Sequence, residues 1–126
     1  MTMCARVLVV DDDPVNADLI GYLLRAFGHD AVLALGGREA LDAAAAQVPD
    51  LVLCDIQMPG IDGYQVLQRL RDDVRFDRTP VVGVTALAMV GDRERTLGAG
   101  CVGYISKPID TRTLGAQVRE FLETIA

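Results

Sequence analysis

Residues 7–13 read Val7-Leu8-Val9-Val10-Asp11-Asp12-Asp13, four apolar side chains followed at once by three carboxylates. A continuous Val/Leu run without polar alternation is the pattern of a strand buried on both faces, as in a parallel sheet. Runs of the same kind recur along the chain and predict strands near Arg6–Val10, Ala31–Leu35, Leu51–Cys54, Pro80–Val84 and Val102–Ser106. Helical patterns lie between them. Asp13 is placed to cap the first helix, with Pro14 at its first position; Leu19, Ile20, Leu23, Leu24 and Phe27 share a face, and Gly28 closes it. The second carries Ala40, Leu41, Ala44, Ala45 and Val48 and stops at Pro49; the third sets Gly63, Leu67, Leu70 and Val74 in register. A fourth, between Val90 and Ala99, has only a thin apolar stripe, and a fifth starting at Asp110 buries Leu114, Val118, Phe121, Leu122 and Ile125. Five strand–helix units predict an α/β fold, (βα)5. That is a doubly wound five-stranded parallel sheet of flavodoxin-like order 2-1-3-4-5, with helices on both faces.

Composition supports one domain over residues 1–126, with no output domain expected after the fifth helix. The chain is 51% hydrophobic, too apolar for disorder. It has no Trp and few aromatics, so Val, Leu and Ala must supply the core. Its apolar runs are too short to span a bilayer, and Met1-Thr2-Met3-Cys4-Ala5-Arg6 is no signal peptide, so a cytoplasmic location is expected. Cys4, Cys54 and Cys101 are widely spaced, which suggests neither a disulfide framework nor a zinc site; Cys54 reads as a small core residue. The formal charge of −6 argues against nucleic acid or an anionic membrane as a partner.

In open α/β sheets, ligands bind beyond the carboxyl ends of the strands, where strand order reverses. The polar residues at those ends are Asp11, Asp12 and Asp13, then Asp55, Thr85, and Ser106-Lys107-Pro108. Two like charges ~4 Å apart repel by about 4 kcal/mol at an effective dielectric of about 20. Asp11, Asp12 and Asp55 brought together therefore call for a cation. Oxygen ligands favour a hard ion, and two or three carboxylates plus water suit magnesium better than calcium. Lys107 adds a second positive charge with three donors for a phosphate oxygen. Asp55 is then the natural nucleophile for an incoming phosphoryl group, and Thr85 can donate to it. Singly, each residue has an ordinary explanation: a solvated turn with one N-cap for Asp11–Asp13, a pre-turn carboxylate for Asp55, a strand β-branch for Thr85, a surface charge for Lys107. Tyr104 alone reads as packing with its hydroxyl at the rim, and His29 beside Gly28 as solvated. Placement at successive strand ends is what singles out the set.

At these residues the sequence resembles the receiver domains of bacterial two-component systems. The resemblance spans the chain through Val7-Leu8-Val9-Val10-Asp11-Asp12-Asp13, Asp55-Ile56-Gln57-Met58-Pro59-Gly60-Ile61-Asp62-Gly63, Val84-Thr85-Ala86 and Gly103-Tyr104-Ile105-Ser106-Lys107-Pro108. It implies a CheY-like response regulator whose Asp55 takes a phosphoryl group from a phosphohistidine on a sensor histidine kinase or histidine phosphotransferase. It further implies magnesium held by Asp12, by Asp11 mainly through water, by Asp55 and by the backbone carbonyl of Gln57. Thr85, Ala86, Lys107 and Tyr104 would surround and sense the phosphoryl group, with Thr85 and Tyr104 as the switch pair and a cis bond before Pro108. The implied output surface for a downstream protein is the face of the fourth helix, fifth strand and fifth helix. The implied chemistry is that of a phosphoacceptor signalling domain, catalysing only its own phosphotransfer and dephosphorylation. The stretch from Val84 to Asp110, with Gly91-Asp92-Arg93, looks like stand-alone receivers of the DivK type and also like receivers at the ends of hybrid kinases. Leu87 offers no polar side chain to position an attacking water.

Three other readings compete. A haloacid-dehalogenase-type phosphatase needs a second acid two residues after Asp55, where Gln57 stands. A calcium loop at Asp11-Asp12-Asp13-Pro14-Val15-Asn16 fails because Val15 occupies a ligand position. A constitutive interaction module is disfavoured by the complete Asp55, Thr85 and Lys107 set. All of this requires the strand tips to converge and Asp55 to be reachable from solvent.

Overall fold

The computed structural model describes residues 4–56, 63–85 and 101–125, with Thr124 and Ile125 described by backbone alone. The expected fourth helix between Val90 and Ala99, and Gln57, Ala86 and Leu87, lie outside the described residues.

Five strands form one parallel sheet: β1 (Arg6–Val10), β2 (Asp30–Ala34), β3 (Leu51–Asp55), β4 (Val81–Thr85) and β5 (Gly103–Ser106), in the order β2-β1-β3-β4-β5. Strand order reverses between β1 and β3, so the end of each strand opens onto the switch point. Side chains alternate across the sheet with period two. Leu8, Val10, Val52, Cys54 and Val81 face α2 (Gly37–Ala46) and α3 (Gly63–Arg71) in one core. Val7, Val9, Leu51, Leu53, Val82 and Val84 face the other way, against α1 (Pro14–Ala26) and the last helix (Leu114–Ile125). Every residue of β3 and β4 is buried, as the continuous apolar runs require.

Several boundaries differ from the sequence reading, each for a local reason. β2 starts and ends one residue earlier than expected and is not buried on both faces. It is an edge strand, with Val32 41% exposed and Leu35 beyond its end 43% exposed. Helix α2 ends at Ala46, so Val48 falls outside it and is exposed, as is Ala45. Val74 belongs to a 3-10 turn (Val74–Phe76) instead of α3 and points to water, while Phe76 from that turn supplies the core contact. Asp110 opens a turn whose carbonyl accepts from the Thr113 and Leu114 N–H groups, and the last helix begins only at Leu114. Phe27, at the end of α1, is half exposed, yet its ring lies where a side chain on Gly115 would go.

His29 is the clearest departure. Gly28, with φ 87°, reverses the chain after α1. The His29 N–H then returns to the Leu24 carbonyl, and its ring is buried under the start of β1, where Nδ1 accepts from the Ala5 N–H at 3.1 Å. Burial lowers its pKa below the usual 6.5. In the unfolded chain this histidine takes up a proton at a higher pH than in the folded one. Stability from the neutral ring is thus complete above pH ~6.5 and is lost as pH falls through the folded pKa. We expect denaturant midpoints to drop between pH 6.5 and 5 in the native chain and to drop less in His29→Gln; parallel curves would refute the coupling. It is the chain's one histidine, so the slope in that range has a single imidazole source.

Candidate functional site

The carboxyl ends of β1, β3, β4 and β5 bring together most of the residues read from sequence. Asp11 leaves β1 and is 1% exposed; Asp55 ends β3 and is 2% exposed; Asp12 is exposed at the mouth. One carboxylate oxygen from each lies within 4.8 Å of the others. Lys107 follows β5 and points its ammonium between the two buried acids, with Nζ 3.1 Å from Asp55 Oδ2 and 3.3 Å from Asp11 Oδ2. Its backbone N–H donates to the Thr85 carbonyl at 2.8 Å, which ties the tip of β4 to the residue that carries the amine. The Lys107–Pro108 peptide bond is cis. Thr85 is buried beside Asp55's strand, one residue beyond the Asp55–Val84 pair. Tyr104 is half-buried on β5, on the side of that strand opposite Ile105.

Burial alone would lower the Lys107 pKa, but the hydrogen bond and charge of Asp55, reinforced by Asp11, outweigh it and leave the pKa above 10.5. The amine is therefore charged throughout the physiological range. The three carboxylates carry two more charges than this single ammonium neutralises. A divalent cation matches the deficit. Around magnesium, ligands at ~2.1 Å stand at most ~4.2 Å apart. The 4.8 Å cluster suits such an ion with one acid contacting it through water, or with slight contraction.

Asp11 is the member most committed elsewhere. Its Oδ1 accepts from the Asp13 N–H at 3.0 Å, and its Oδ2 from Asn16 Nδ2 at 2.6 Å as well as from Lys107. Asp13 meanwhile caps α1, accepting from the Val15 N–H. Asn16 was missed in the sequence reading. Its place on the first turn of a helix that begins just after an acidic loop end was the available signal. The sequence reading requires Asp55 to be reachable from solvent, yet its side chain is only 3% exposed; the group that covers it, Lys107, is 22% exposed.

Below the acids, α3 begins in close contact with the end of β3. A Cβ on Gly63 would lie 2.6 Å from Ile56 Cα and closer still to the Asp55 carbonyl oxygen. The Gly63 N–H donates to the Ile56 carbonyl, and glycine alone allows this approach.

The family model of the response regulator receiver domain matches residues 7–119. The chain belongs to that family. This receiver is 42% identical over 123 residues to the polar-differentiation response regulator DivK of Brucella ovis, covering 98% of this chain and 94% of the relative. Among solved structures it is similar to the Vibrio cholerae chemotaxis protein CheY4, with a TM-score of 0.88 and 25% identity over 94% of this chain and 98% of that one. It is also similar to the receiver domain of the Francisella response regulator 1452, with a TM-score of 0.87 and 30% identity over 97% of this chain and 99% of that one. Receivers are signalling domains that pair with histidine kinases and downstream targets, and they bind magnesium at an acidic pocket. No helix among the described residues is long and apolar enough to cross a membrane.

Proposed function

We propose that this receiver accepts a phosphoryl group from a phosphohistidine onto Asp55 and relays the event through a protein-interaction surface. The observation that carries the reading is the convergence of the Asp11, Asp12 and Asp55 carboxylates at one strand rim, with Lys107 ion-paired to Asp11 and Asp55. An Asp55 oxygen attacks phosphorus, the P–N bond breaks, and its electron pair returns to the departing imidazole, giving an aspartyl phosphate. Asp12, Asp55, Asp11 and the Gln57 carbonyl would hold magnesium, which would supply positive charge to offset that of the phosphoryl oxygens. Lys107 takes a phosphoryl oxygen after releasing the Asp55 carboxylate, and that release also opens Asp55 to the donor. Phosphorylation brings about −1.5 to −2 charges into a pocket already rich in anions. Thr85 answers by hydrogen bonding to the phosphoryl group together with the Ala86 backbone. Its strand end pulls on Lys107 through the existing backbone bond, and Tyr104 on the neighbouring strand repacks. Output toward a protein target passes through the face of the fourth helix, β5 and the last helix. The reading places the protein in the cytoplasm, where a phosphohistidine donor acts.

Transfer from a phosphorylated histidine donor tests the proposal. In magnesium the label should move to this chain within the assay's first time points, and excess chelator should slow it by at least about a hundredfold, since the metal supplies several kcal/mol of charge stabilisation. Undiminished transfer in chelator would overturn the metal's role. Lys107→Ala should still bind magnesium, read by metal-dependent amide shifts, yet phosphorylation should no longer raise partner affinity. Normal coupling in that variant would remove Lys107 from the relay.

A further inference from the structure

At the opposite end of β1 from the acidic rim lies a pocket of about 180 Å³, walled by Leu8, Val32, Ala43, Ala46 and Pro49. Arg6 and Gln47 stand at its edge. The walls are almost wholly apolar, and an apolar cavity of about 150 Å³ is large enough to take benzene. Arg6 makes this more than a gap between β2 and α2. Its backbone N–H is held by Asp50, but among the described residues no carboxylate comes within ion-pair distance of its guanidinium. The guanidinium instead faces the Gln47 amide, whose oxygen, once the amide is turned to the orientation that satisfies both groups, accepts from Nη1 at 2.9 Å and from Nη2 as well. Gln47 is exposed, so water can satisfy its amide if that oxygen leaves. A carboxylate in its place would exchange a neutral acceptor for a charge-assisted, two-pronged one.

We propose that this pocket binds a small organic monocarboxylate, with a ring or branched chain of about five or six carbons in the apolar cavity and the carboxylate on Arg6. Arg6 and Asp11 are five residues apart on one extended strand, about 17 Å at ~3.3 Å per residue. Occupancy is therefore independent of phosphorylation chemistry at Asp55.

The test is an amide-shift titration of the full chain with benzoate and with its neutral counterpart benzamide. Benzoate should give saturable shifts centred on Leu8, Val32, Ala43 and Ala46, with a dissociation constant on the order of millimolar for so small a ligand. Benzamide should bind at least about tenfold more weakly. Arg6→Gln should weaken benzoate about tenfold and leave benzamide unchanged. Ala46→Phe should fill the cavity and abolish both, and Ala43→Leu serves the same purpose if that variant does not fold. Asp55→Asn should bind benzoate as the native chain does, so a phosphorylation defect and a pocket defect are told apart. Absence of saturable shifts, equal binding of the two probes, or benzoate binding unchanged in Arg6→Gln would each overturn the proposal. A pocket filled only by a side chain of a protein partner would appear as the first of these.

Discussion

Asp55→Asn should take up no phosphate from a small acyl phosphate donor in magnesium, whereas the native chain should gain one phosphate by intact mass. The amide keeps the shape of the carboxylate and can still sit beneath Lys107, but it lacks the anionic oxygen that forms the acyl phosphate. The change also removes one of three clustered negative charges, and Lys107 keeps Asp11 as its partner. The variant should therefore melt no lower than the native chain. A fold defect is thus separable from a chemical one. Labelling that persists in a well-folded Asp55→Asn would place the acceptor elsewhere.

Gly63→Ala should be among the most damaging single methyl additions in the described chain. The added carbon would meet Ile56 Cα at 2.6 Å and the Asp55 carbonyl carbon at 3.0 Å, all backbone atoms that no rotamer change can move. Helix α3 must then lift off the end of β3, opening the core around Val66, Leu67 and Leu70. A cost of roughly 1–3 kcal/mol is expected, which for a domain of this size lowers the melting temperature by roughly 5–15 °C. Gly36→Ser is the matched control. Nothing lies within 4 Å of its Cβ position, and the residue caps α2 in extended geometry, so serine should be neutral or slightly stabilising. Because Gly63 presses on the residue that carries the acceptor, the surviving folded Gly63→Ala should also phosphorylate more slowly. Thermal melts with labelling rates on the same samples check both effects. Equal melting of the two glycine variants would show that α3 tolerates the displacement.

Much of the site was legible because each strand tip announces itself. An apolar run that stops at Asp11, at Asp55, at Thr85 or just before Lys107 marks where a buried strand reaches solvent, and parallel topology sends all those ends to one side. Period and punctuation also located α1 and its Asp13 cap, since local hydrogen bonding decides both. Residues whose environment depends on distant neighbours were not readable. His29 looks solvated beside Gly28, and only the approach of Ala5 across the chain reversal buries it. Asn16 looks like one more polar helix residue until Asp11 is seen turned back toward it.

The sequence by itself determined the order of the strands and of the described helices, and the chemical kinds present at the strand ends, because hydrophobic periodicity and capping act within a few residues. Only the tertiary structure decided that β2 would be a half-exposed edge, that Asp55 would lie under the Lys107 ammonium, and that Arg6 would stand at an apolar pocket with no ion-paired carboxylate among the described residues. These are distances between segments far apart in the chain. They follow from how two cores pack on opposite faces of one sheet, which no local pattern encodes.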